Sequence, residues 1–121
     1  MNYESYRTIA STSNPGVSFK LRRMSVERRL GLTRRLRELL QKIEFLESGK
    51  DPRESMEAAL LATEIDQVYL LWGVAEIAGL EIDGQIATPE TLVAAGPEGL
   101  SREIISAIKA ECGLREDERK N

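Results

Sequence analysis

Gly49-Lys50-Asp51-Pro52-Arg53-Glu54 stands between two long stretches of helical periodicity. Gly49 suits the position just past a helix C-terminus, where a left-handed residue closes the last turn. Asp51 is placed to cap a new helix, and Pro52 fits its first position, where a missing N–H costs nothing. Glu54 sits where it completes a capping box. Two helices joined by so short a turn run antiparallel, so these six residues predict a helical hairpin.

Upstream, Ser25 is placed to cap a helix reaching about Ser48. At 100° per residue Val26, Leu30, Leu32, Thr33, Leu36, Leu39, Leu40, Ile43 and Leu46 share one broad face. Arg34, Arg35, Glu38 and Lys42 lie outside it. Downstream, the second helix is expected from Pro52 to about Ala78, stopped by Gly79. Over residues 65–77 its apolar side chains cover nearly the whole circumference. A helix apolar all round needs cover on several sides, from the first helix, the C-terminal segment or another chain.

Outside the hairpin the signals are shorter. Residues 1–16, rich in Ser, Thr, Asn, Pro and Gly at their end, read as a flexible arm. Val17, Phe19 and Leu21 alternate with polar residues as a short strand does. Residues 80–86 read as a tiny β-hairpin around Asp83-Gly84, with the strand over residues 17–21 as the available third member. Thr88-Pro89-Glu90 opens a short helix ending at Gly96, with Thr91 rather than an acid three residues after the cap. A last helix begins near Pro97 or Ser101 and stops at Gly113, with Leu100, Ile104, Ile105, Ile108 and Cys112 on its apolar face. The expected fold is mainly α with minor β. A long antiparallel helical hairpin is joined by two short C-terminal helices and a small β-hairpin, in one helical domain over residues 17–113. Residues 114–121 form a charged tail.

At 121 residues one domain is expected, and with aromatics at only 5% its core must come from aliphatic side chains. There is no histidine and a single cysteine, Cys112. Ser-His and Cys-His catalysis, an internal disulfide and a cysteine–histidine zinc site are therefore ruled out, and no cofactor is expected. One thiol on an apolar helix face reads as a small buried residue in a reduced, cytoplasmic setting. No targeting segment is visible, and the most apolar run, residues 68–77, is too short to span a bilayer.

Charge is unevenly spread. Residues 1–50 hold 11 Lys/Arg against 5 Asp/Glu, and residues 51–121 hold 6 against 15, which gives +6 and −9 within a net −3. Seven arginines between Arg22 and Arg37 present either a phosphate-binding helix or a solvated face paired to the acidic half. Overall acidity and the scarcity of aromatics near the run favour the pairing. Asp66 lies among Ala59, Ala62 and Ile77 on the second helix, so a counter-ion is expected for it. Antiparallel folding puts Arg34 or Arg37 opposite it, as a structural ion pair. Arg29, inside the apolar arc, also needs a partner or an exit to water. Tyr69 and Trp72, with Ile65 and Val68, are the candidate partner-binding residues, because aromatic anchors dominate interface energetics; ordinary core is the competing reading.

The strand Phe19-Lys20-Leu21-Arg22 leads into the Arg-rich helix, and the second helix ends in Tyr69-Leu70-Leu71-Trp72-Gly73. Then follow Gly79-Leu80-Glu81-Ile82-Asp83-Gly84, Ala87-Thr88-Pro89-Glu90, Gly96-Pro97-Glu98-Gly99-Leu100 and Glu103-Ile104. Over residues 17–112 this order of motifs resembles small proteins of phage and prophage structural-gene clusters, of the tail assembly chaperone type. The resemblance implies a non-enzymatic helper that binds the long apolar tape-measure protein during tail assembly. It matches no residue here to a client-binding position. Two function classes remain. One is a self-associating assembly chaperone binding a protein client, with no membrane and no nucleic acid. The other is a small nucleic-acid-binding regulator using the first helix.

Overall fold

Capping chemistry places the hairpin. In the computed structural model, which describes residues 1–48 and 51–113, helix α1 spans Val26–Glu47 and α2 spans Pro52–Gly73. The Ser25 side chain accepts the Arg28 N–H at α1, and Asp51 accepts the Arg53 N–H at α2, with Pro52 in the first turn. The Gly49 stop and the tail over residues 114–121 lie outside the described residues. No described helix is long and apolar enough to cross a membrane.

The second helix is shorter than its periodicity suggests. It ends at Gly73, and Val74–Ala78 is a β-strand. The stretch that looks apolar all round is thus two elements, each buried in its own geometry. Val74 and Ile77 are both buried although three residues apart, because the pairing of this strand with residues 18–22 shifts register between Lys20 and Leu21 and the bulge brings both to the core side; β-branched side chains favour that backbone. Arg22 completes the switch, because its Nη1 donates to the carbonyls of Trp72 and Val74, both at 2.9 Å. Carbonyls at a helix end have no partner of their own, and a guanidinium satisfies them. A Cβ on Gly73 would meet the Ile108 side chain at 2.7–2.8 Å, so only glycine lets the last helix approach here.

That strand belongs to a three-stranded antiparallel sheet. β1 is Tyr6–Ala10, β2 is Ser18–Arg22 and β3 is Val74–Ala78, in the order β1-β2-β3. The N-terminal segment is therefore not a free arm over residues 1–16: Tyr6, Thr8 and Ile9 are good strand formers, and β1 pairs with β2 from Tyr6↔Arg22 to Ala10↔Ser18. The loop between them closes through Ser11 N–H to the Val17 carbonyl at 2.8 Å. Phe19 and Leu21 of β2 point into the core. The 17–21 strand was the available third member for the residue 80–86 hairpin, but it is used here. The hairpin β4 (Glu81–Ile82) and β5 (Gln85–Ile86) stands apart, turned by Asp83 and Gly84 at φ 52° and 80°. Positive φ at both positions is what a type I′ turn requires.

Two short helices close the core. α3 spans Pro89–Ala95 and α4 spans Glu98–Glu111. The reciprocal capping box belongs to α3. Thr88 N–H donates to Thr91 Oγ1 at 2.8 Å and Thr91 N–H to Thr88 Oγ1 at 3.1 Å, so a threonine hydroxyl does the work usually given to a carboxylate. Leu100, Ile104 and Ile108 of α4, with Cys112 at its C-cap, are buried in one cluster with Phe19, Leu21, Leu70, Val74 and Leu92. The architecture is mainly α with minor β, as expected.

Candidate interaction surface

The residues singled out as partner anchors are core. Ile65, Tyr69 and Trp72 are buried and Val68 is half-buried against the same cluster. Folding residues 74–78 into the sheet supplied the cover that an all-helical reading lacked.

Asp66 has a different counter-ion from the one antiparallel geometry suggests. Lys109 of α4 lies 2.6 Å from its Oδ1, and the same ammonium stands 5.4 Å from the Tyr69 ring centroid. α4 packs on the side of α2 that carries Asp66, so a lysine 43 residues away wins over Arg34 or Arg37 on the adjacent α1. Both arginines are exposed, with no hydrogen bond or ion pair among the described residues.

The arginine run divides by use. Arg22, Arg28 and Arg29 serve the backbone. Arg28 Nη1 donates to the carbonyls of Ser5 at 2.6 Å and Arg23 at 3.0 Å while its guanidinium lies 4.9 Å from the Tyr6 ring centroid. Arg29 reaches the Cys112 carbonyl at 3.4 Å, at the negative end of α4. Arg29 is also exposed, as are Val26 and Leu30 beside it, so the charge has an exit to water as well as this partner. Arg34, Arg35 and Arg37 remain exposed. Pairing of the run with the acidic half does not occur among the described residues. The ion pairs there are Arg7–Glu111, Arg102–Glu98 and Lys109–Asp66, none of them from α1.

Exposed apolar side chains occur at both ends of the hairpin: Val26 and Leu30 stand out at the start of α1, and a second group lies at the distal end. No described residue of α1 beyond Leu36 is buried, and before Ile65 α2 buries only Ala58. The distal half is therefore an arm of two helices packed on each other. Leu39, Ile43, Leu46 and Leu61 are half-buried along its seam. Leu40, Phe45, Met56 and Leu60 are 51%, 75%, 72% and 66% exposed. Met56 and Leu60, four residues apart, share one exposed side of α2, while Leu40 and Phe45, five residues apart, face different sides of α1; these four are the candidate adhesive residues. Sequence reasoning missed Leu40 because it falls within α1's broad apolar arc and looks like core there. Only the extent of the third layer decides which part of that arc is covered.

One charged site also escaped the sequence. The Glu103 carboxylate of α4 accepts from Ser11 Oγ at 2.6 Å, Ser13 Oγ at 2.7 Å, and Thr12 N–H and Oγ1 at 2.7 and 2.9 Å. These donors, the Ser11 hydroxyl foremost, hold its pKa down at about 2 against partial desolvation. The β1–β2 loop is thereby latched to α4. The signal was the run of hydroxyls over residues 11–13, read instead as loop composition. Cys112 is buried, and burial pushes its thiol pKa up, which suits a packing residue rather than a nucleophile.

Set against known proteins, the chain matches no family model, no curated protein and no solved structure.

Proposed function

We propose that this chain is a non-enzymatic assembly protein of the tail assembly chaperone type, and that its helical arm holds an apolar segment of a client such as a tape-measure protein. The observation that carries the reading is the exposure of Leu40, Phe45, Met56 and Leu60 on the distal arm. An apolar client needs contact area rather than one shaped pocket, and an amphipathic segment laid along two helices offers it. The order of motifs over residues 17–112 supports the same class.

Co-expression tests it. A phage tape-measure segment produced together with this chain is expected to stay soluble and co-purify with it, and to aggregate with a Phe45→Ser/Leu60→Ser variant. Equal solubility with both chains would remove the arm from the account.

A second reading is favoured by one observation. Arg34, Arg35 and Arg37 are exposed without ion pairs among the described residues, which leaves three cations on one helix for phosphate. Duplex DNA binding that falls steeply with added salt, and is lost when the three are changed to Gln, would establish this regulator reading instead.

A further inference from the structure

We infer that β1 is the edge along which two copies of this chain pair, antiparallel about a two-fold axis at Thr8, so that their sheets become one. β1 has one strand partner, β2, and among the described residues its other side is open. Two hydrogen bonds fix which backbone groups face that open side. Ser11 N–H donates to the Val17 carbonyl at 2.8 Å and Arg23 N–H to the Ser5 carbonyl at 3.0 Å, both in the register of the strand pair. Residues bonded in this way alternate along an antiparallel ladder, so Ser5, Arg7, Ile9 and Ser11 face β2. Tyr6, Thr8 and Ala10 turn their N–H and C=O groups outward.

Such a row invites another strand unless it is blunted. The opposite edge, β3, is kinked where its register with β2 shifts between Lys20 and Leu21, and it carries the exposed Glu76. β1 has no such device. Its pairing runs unbroken from Tyr6↔Arg22 to Ala10↔Ser18, and it holds no proline or lysine. Its one charged residue, Arg7, reaches Glu111 at 3.5 Å.

Backbone groups at this spacing are met by a strand, and the side chains of β1 fit its own copy. With the axis at Thr8, Thr8 lies beside Thr8, the large Tyr6 beside the small Ala10, and Arg7 beside Ile9, so no like charges stand directly opposed. Tyr6, Thr8 and Ala10 then exchange both backbone bonds with their counterparts. The two Lys20 residues are three strand spacings apart, about 14 Å, beyond the screening length of physiological salt. Past the paired residues, Glu4, Arg23, Glu27 and Arg28 of one copy approach the residue 11–13 loop of the other, where Glu103 is held, so both signs meet there.

This pairing goes beyond client binding and stands without it. The test is sedimentation of the full chain across a concentration series. An edge of five residues makes a small interface, so the series extends to about 1 mM. The parent is expected to form a dimer. Thr8→Pro removes an outward N–H and none of the bonds to β2, and is expected to be a monomer with the parent's circular dichroism. Thr8→Lys and Thr8→Glu each set like charges at the axis and should each weaken association about tenfold at low salt. Mixing those two chains should restore it as a heterodimer. A parent that is monomeric throughout overturns the inference. A folded Thr8→Pro chain that pairs as the parent does, or a Lys/Glu mixture no tighter than either chain alone, also overturns it.

Discussion

Glu103 shows how one side chain ties distant segments together. Its four donors all come from residues 11–13, about ninety positions away in the chain. Glu103→Gln keeps the shape but loses the charge, and is expected to cost about 1–2 kcal/mol given partial solvent screening. Urea unfolding at neutral pH measures it. Because the folded pKa is depressed, this stabilisation is fully present above the unfolded value near 4.5 and drains as pH falls toward about 2. The Gln variant should therefore lose the part of the parent's acid sensitivity that falls in that window. Asp66 gives a second residue-scale test. Lys109→Met should destabilise by about 1 kcal/mol, since a partly buried carboxylate loses its partner, while Arg34→Ala and Arg37→Ala should stay within about 0.5 kcal/mol. A larger loss from either arginine than from Lys109 would restore the antiparallel pairing inferred from position alone.

At the scale of elements, the helix-to-strand switch at Gly73 decides what residues 65–77 become. Gly73→Ala would drive a methyl group into Ile108 and is expected to cost about 1–3 kcal/mol by chemical denaturation, as overpacked cores do. The hairpin itself was legible in the sequence, because the Asp51-Pro52 start and the Ser25 cap are local signals that the helices obey. The I′ turn at Asp83-Gly84 and the short helix after Thr88 were legible for the same reason. The strand β3 was not, since a short apolar run has no period of its own and its strand form depends on a partner, β2, more than fifty residues earlier. β1 was hidden by neighbouring loop composition and by the same non-local pairing. The arm makes a further prediction at this scale. Amides of α1 beyond Leu36 and of α2 before Ile65 should exchange hydrogen faster than those over residues 65–73, because few buried contacts hold them. Uniform protection along both helices would contradict an uncovered arm.

The whole molecule is a core built at one end of a hairpin, with the other end bare. The sheet, α3, α4 and the proximal hairpin share one apolar cluster, and nothing of that cluster extends past Leu36 on α1 except the half-buried Leu39 and Ile43. The structure moves the proposed binding surface away from Tyr69 and Trp72. Tyr69 and Trp72 are part of the core that supports the arm, and the proposed surface is the exposed Leu40, Phe45, Met56 and Leu60. Leu40 lies on the apolar arc that is core nearer the sheet, whereas Phe45, Met56 and Leu60 lie off the buried stripes of their helices. The arm's use as a client surface is most directly tested by one titration. An apolar amphipathic segment of a phage tape-measure protein is titrated into the parent chain and into Phe45→Ser/Leu60→Ser, at low and at high salt. The account predicts binding to the parent that changes little with salt and weakens at least about tenfold in the variant. No binding to the parent, or equal binding by both chains, would contradict it.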